Sequence, residues 1–183
     1  MDADFDTAVL GLAMPPGVEA ALREAGTCRG DACATMAALM RAQALAPEHP
    51  AVLIAFYRHY FYGHRPRQAR HVVRRALAVG AQALGLPRVW REVPRLALAG
   101  ARHDATTRFY LFALKGYAYL SLRLDDLAEA GDALALLRAL DPQDCVGAAV
   151  LEAVRRRSLA GPGEDDATPA LQATGAAAWA SLA

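Results

Sequence analysis

Four groups of residues have the types and spacing that chemistry would need. The string HRPRQARHVVRR, residues 64 to 75, puts Arg67, Arg70, His71 and Arg74 on adjacent turns of one helix face, behind Arg65 and with no acid between them. Such a stripe is suited to gripping phosphates. The whole chain carries a net charge of only +1, so no supporting field draws nucleic acid, and a solvated outer face explains the stripe more simply. Five histidines, His49, His59, His64, His71 and His103, invite a metal reading. His64 and His71 can share a helix face, but no third ligand stands at a recognisable spacing, so no metal site is assigned. Asp125, Glu129 and Asp132 form a carboxylate stripe, which the preference of a helix N-terminus for negative charge accounts for. In CRGDAC, Cys28 and Cys33 suggest a thiol pair, yet only Arg29 is placed to lower a thiol pKa. A glycine-rich phosphate loop, a Gly-x-Ser-x-Gly elbow and a His-Glu-x-x-His pair are all missing from the sequence. These absences point away from an enzyme, and neither catalytic residues nor a cofactor is assigned.

At 183 residues the chain can bury one sizeable core and carry a tail. Of the 20 basic residues only Lys115 is a lysine, a bias that reduces the weight of any arginine count. The start, MDADFD, has neither the basic nor the apolar region of a signal peptide. The longest apolar run, Phe109 to Leu122, is broken by Lys115 and falls short of the roughly 20 residues of a membrane helix. Three cysteines without a Cys-x-x-Cys pair fit reduced thiols, so a cytoplasmic chain without membrane contact is expected.

The elements that must position these groups are helices. In RFYLFALKGYAYLSLRLDDLAEAGDALALLRALDPQD, residues 108 to 144, Leu111, Leu114, Ala118 and Leu122 recur at helical spacing, and Leu127, Ala130, Leu134 and Leu137 do so after them. Asp126 with Glu129 three residues later has the form of an N-cap with its capping-box acid. Asp141-Pro142 closes the second helix, since a residue before proline is pushed out of the helical region. The result is a helical hairpin.

The same pattern recurs upstream. Residues 49 to 79 hold an apolar helix, a break at Gly63 to Pro66, and a helix with Ala69, Val73 and Ala76 on one face; before them another helix ends at Leu45 to Pro47. Leu39 to Val73 and Ala42 to Ala76 are both 34 residues, while Leu53 to Leu114 and Ala69 to Ala130 are both 61, which is 34 plus an insertion of 27. A 61-residue shift places Arg65, Gln68 and His71 on Asp126, Glu129 and Asp132, so one edge is basic in one unit and acidic in another. That contrast suggests a polarised surface able to orient a partner. The expected fold is therefore all-α: a solenoid of about three hairpins, an insertion before the last, and a capping helix over 144 to 157. Residues 1 to 30 form an N-terminal segment with a possible short helix, PPGVEAALREAG. The helical domain runs from 31 to 157 with the insertion at 84 to 110, read as a lengthened preceding helix, a turn carrying Trp90 and a loop capped near Asp104. Residues 158 to 183, rich in Gly, Pro and Ala, read as a flexible tail with at most a short helix around Trp179.

A period of 34 with small residues where helices cross resembles the tetratricopeptide repeat family. Ala118 matches the family's small residue in the first helix, Ala69 and Ala130 the one opening the second, and Pro47 and Pro142 its closing proline. Departures are Tyr57 at a small position, Ser121 for the usual tyrosine, Leu137 for a later alanine, and Thr35 in the earliest unit. The resemblance implies a concave surface that binds peptides, hence an adaptor or assembly factor. The stretches FYRHYFYGHR and RFYLFALKGYAYLSLRL also resemble short bacterial proteins of nitrogen-fixation gene neighbourhoods, which implies an accessory factor for a metalloenzyme. Length and repeat number are similar to secretion chaperones as well, and a nucleic-acid binder using Arg65, Arg67, Arg70 and Arg74 is the rival class.

With Leu111, Leu114 and Ala118 given to the core, the stripe of Phe112, Lys115, Tyr119 and Arg123 is spare; the 61-residue shift adds Ala51, Ile54, Arg58 and Tyr62. Arg58, Tyr62, Phe112, Lys115, Tyr119 and Arg123 are thus the expected contact set for a protein or peptide with acidic and apolar residues. No asparagine accompanies these cations, so a carboxylate clamp for a free C-terminus is not expected. The competing placement puts Phe112 and Tyr119 beneath the insertion, around Trp90.

Overall fold

The structure, a computed structural model, describes residues 14–99 and 104–160. Among them are seven α-helices and no strand, so the protein is all-α. The helices are α1 (Pro16–Thr27), α2 (Ala32–Leu45), α3 (Pro50–Tyr62), α4 (Pro66–Ala83), α5 (Ala105–Arg123), α6 (Leu127–Leu140) and α7 (Ala148–Ala160), and a 3-10 turn lies at Trp90–Glu92.

Short-range chemistry sets most of these limits. Proline opens α1, α3 and α4, where its missing N–H costs no hydrogen bond. Asp31 caps α2 by accepting from the N–H of Cys33 and Ala34, Asp104 caps α5 by accepting from Thr107, and Asp126 caps α6 by accepting from Glu129. His49 is a cap too: its Nδ1 accepts from the Ala51 N–H at 3.2 Å, so this metal candidate serves the start of α3. His103, Trp179, the MDADFD segment and residues 161 to 183 lie outside the described residues.

The residues preceding the second helices, Asp31, Arg65 and Asp126, are separated by 34 and 61 positions, as the sequence period requires. Two of the turns are alike in detail. His64 and Asp125 both take left-handed backbone, with φ of 54° and 58°. The following N–H groups, of Arg65 and Asp126, reach back to Tyr60 and Ser121 carbonyls at 2.9 Å in both cases. The second helices also end alike, with the Ala46 N–H on Ala42 O and the Asp141 N–H on Leu137 O.

Three boundaries differ from the sequence reading. The first helix belongs to the packed helical domain and not to a separate N-terminal segment: it buries Val18, Ala21 and Ala25 and packs broadly on α2. Helix α5 begins at Ala105, because the Asp104 cap recruits the last six residues of the insertion, 105 to 110. Helix α7 starts at Ala148 and continues through Ala160, into the expected tail, while Asp144 accepts from the N–H groups of its first two residues.

Leu39, Leu53, Leu77, Leu111, Leu114, Leu134 and Leu137 are at most 2% exposed and run through one core. Helix α4 packs most broadly on α5, whereas α2 touches α3 thinly. Tyr57 is accommodated over Gly116, where an added Cβ would lie 3.8 Å from its hydroxyl. No described helix is long and apolar enough to cross a membrane.

Candidate functional site

Helices α3 and α5 together hold all six tyrosines of the chain and four of its five phenylalanines, and neither contains an aspartate or glutamate. Their cations are Arg58, Arg108, Lys115 and Arg123. The greasier sides of both helices enter the core, and the rest form a surface joined across the two hairpins. Phe61 packs on Tyr119 with ring centroids 5.7 Å apart, Tyr57 on Phe61 at 5.4 Å, and Phe61 edge-on to Tyr62 at 5.5 Å. Arg123 donates to the Tyr119 hydroxyl at 3.2 Å. Arg58 and Tyr62 line a shallow cleft beside Tyr57 and Phe61, and Tyr62 is 59% exposed. The cleft measures about 10 Å³, at the lower limit for one water, so this surface offers contact area and not a small-molecule pocket. Burial, with the neighbouring Tyr119 and Tyr62 adding to it, pushes the Tyr57 hydroxyl above the usual tyrosine range. It stays neutral at any physiological pH.

Of the six expected contact residues, Arg58, Tyr62, Tyr119 and Arg123 come together here. Lys115 turns elsewhere. Its Nζ donates to the Val146 carbonyl at 2.5 Å and so pins the loop between α6 and α7, where Asp141 accepts from the Val146 N–H at 2.9 Å. Burial lowers the Lys115 pKa, with Asp144 opposing that effect. Phe112 is half-buried against the core. Phe61, omitted from the expected set, joins the two halves of the surface. The signal that would have found it is compositional: an acid-free, aromatic-rich pair of helices is legible without any contact.

Among the described residues of the insertion, Trp90 and Arg91 pack on another side of α5. Trp90 is buried against Tyr117, centroids 5.6 Å apart, and Arg91 lies over the indole at 4.5 Å. Residues two apart point to different sides of a helix, so Tyr117 and not Tyr119 is the tyrosine beneath Trp90. Arg91 Nη1 donates to Glu129 Oε1 at 3.0 Å and its Nη2 to Asp132 at 3.3 Å, while Nη2 and the Tyr117 hydroxyl also bond Glu129 closely. The acidic stripe is therefore the landing site of the insertion. Arg70 bonds Asp126 at 3.0 Å, so the basic and acidic edges expected to polarise the surface meet each other in part. That spends one arginine of the phosphate-gripping stripe, while Arg67 and Arg74 remain exposed and Arg65 precedes α4.

The hydrogen bond from Arg91, then that from Tyr117, holds the Glu129 carboxyl below its ordinary value against the opposing effect of burial. A depressed folded-state pKa adds stability that is fully present above the unfolded value near 4.5 and is lost as pH falls through the folded one. Glu129→Gln is expected to cost about 1.5 kcal/mol at pH 7 and to flatten the acid limb of stability below about pH 4.5. Urea denaturation at stepped pH measures both; an unchanged acid limb would remove Glu129 from the account.

Among the described residues no group of three or more His, Cys, Asp or Glu side chains is arranged to hold a metal ion. Cys28, Cys33 and Cys145 are free thiols, and burial together with Asp141 raises the Cys145 pKa.

The fold and this surface define a class: stacked helical hairpins presenting a cationic, aromatic face. A curated relative of the chain is a protein of Azotobacter chroococcum mcd 1 described as an uncharacterized 19.8 kDa protein in the nifW 5′ region, 41% identical over 115 residues. The match covers 62% of this chain and 64% of that protein. No family model matches the sequence, and no solved structure matches it.

Proposed function

We propose that this chain is a non-catalytic adaptor or assembly factor, built on tetratricopeptide-like repeats, that binds an acidic peptide or protein segment with apolar side chains across α3 and α5. The observation that carries this reading is one joined face: Phe61, Tyr62 and Tyr119 with Arg58 and Arg123, on two helices that contain no acid. Aromatics supply rigid contact area and the cations set register and encounter rate. Neither Arg58 nor Arg123 has an ion-pair partner among the described residues, so both are available to a partner's carboxylates. The equal turns at His64 and Asp125 and the 34-residue step between Asp31 and Arg65 support the repeat assignment. The position of the relative's gene in a nif region supports a role as an accessory factor in nitrogen fixation.

Site-specific photo-crosslinking in native cytosol tests the face. A crosslinker at Tyr62 is expected to capture a defined partner, whereas one at Arg67 captures none. Arg58→Glu with Arg123→Glu should weaken the purified pair by roughly tenfold or more. Equal affinity of wild type and double variant would show that this face is not the binding surface. Nitrogen-dependent growth of a strain lacking the gene tests the pathway separately.

A further inference from the structure

The insertion shows how a groove between consecutive second helices is filled. Trp90 and Arg91 lie between α4 and α6, with the indole on Tyr117 of α5 and the guanidinium on Glu129 and Asp132 of α6. Moving back 61 residues places Phe56 at Tyr117, Gln68 at Glu129 and His71 at Asp132. These earlier residues line a groove between α2 and α4 with α3 as its floor, at the place where α2 touches α3 thinly. It measures about 280 Å³, roughly twenty times the ~10–15 Å³ one water requires. Phe56 and Val72 form an apolar base, Tyr60 and the 53% exposed Met40 form the sides, and Gln68, His71 and Arg75 form the rim. Arg75 is held there by donating to the Pro47 carbonyl at 2.7 Å.

We infer that this open groove is a second docking site, distinct from the α3–α5 face, for a partner segment in which an aromatic side chain is followed by a carboxylate. The filled groove is its template. There, acidic residues on the rim take an aromatic-cation pair from the chain itself. Here the matching positions carry an amide and an imidazole, Arg75 stands four residues beyond, and no acid among the described residues lines the groove, so the charge it accepts is reversed. A polarizable methionine on one wall adapts to a flat ring.

Fluorescence anisotropy of the full chain with labelled peptides containing VWDEV, VADEV and VWREV tests this, the last being the chain's own residues 89 to 93. VWDEV is expected to bind saturably, roughly tenfold tighter than VADEV because the indole supplies the buried area, and roughly fivefold tighter than VWREV. Gln68→Glu with His71→Asp copies the acids of the filled groove at two exposed positions and should reverse the preference toward VWREV. Equal binding of VWDEV and VADEV, no saturable binding of any peptide, or an unchanged preference in the double variant would each overturn the inference. Loss of VWDEV binding in Arg58→Glu with Arg123→Glu, but not in the groove variant, would overturn it too by placing the peptide on the α3–α5 face.

Discussion

Trp90→Ala is expected to lower the free energy of unfolding by about 3 kcal/mol, the lower end of the range for truncating a buried tryptophan. The side chain is 7% exposed and its loss removes the contact with Tyr117 and the ring beneath Arg91. The lower end applies because a 3-10 turn at the surface can settle into part of the space, which a core helix cannot. Arg91→Ala should cost about 1 to 2 kcal/mol, since it leaves Glu129 with the Tyr117 hydroxyl as its remaining close donor. The two residues act on one groove, so the double variant should cost less than the sum of the single ones. Guanidinium denaturation at pH 7 measures all three. A loss below about 1 kcal/mol for Trp90→Ala, with an unchanged slope, would mean that the insertion is not part of the cooperative unit.

Ala118→Trp is expected to cost about 3 kcal/mol, at the upper end for overpacking, because Ala118 is wholly buried on α5 among core residues that include Leu114 and Leu134. Indole insertion there must push α5 away from a neighbouring helix or force its neighbours off their rotamers. Ala153→Trp, on the exposed side of α7, is the matched control and should shift stability by less than about 0.5 kcal/mol. Chemical denaturation of the pair decides it. Equal stability would show that the small residue at this crossing carries no packing constraint, and the repeat argument would lose its main support.

Much of the fold is legible in the sequence. Asp31, Asp104 and Asp126 act on N–H groups two or three residues away, and proline acts on its own turn, so the helix starts can be read locally. The spacings of 34 and 61 then fix which helices correspond, and helical periodicity sends Leu111, Leu114 and Ala118 to the core, where all three are fully buried. The first helix was less legible, because PPGVEAALREAG has few apolar residues and its case rests on packing against α2.

The site divides along the same line. By itself the sequence determined which residues share a helix face, and hence that Arg58, Tyr62, Tyr119 and Arg123 were candidates. Only the tertiary structure decided that Lys115 serves the loop at Val146, that Arg70 meets Asp126, and that Trp90 lands on Tyr117 and away from Tyr119. These contacts join residues 27 to 56 positions apart, across hairpins that must stack before the groups can meet. Helical spacing fixes the direction of a side chain on its own helix, but the path of a 27-residue insertion is set by which groove between hairpins offers its tryptophan a ring and its arginine two carboxylates.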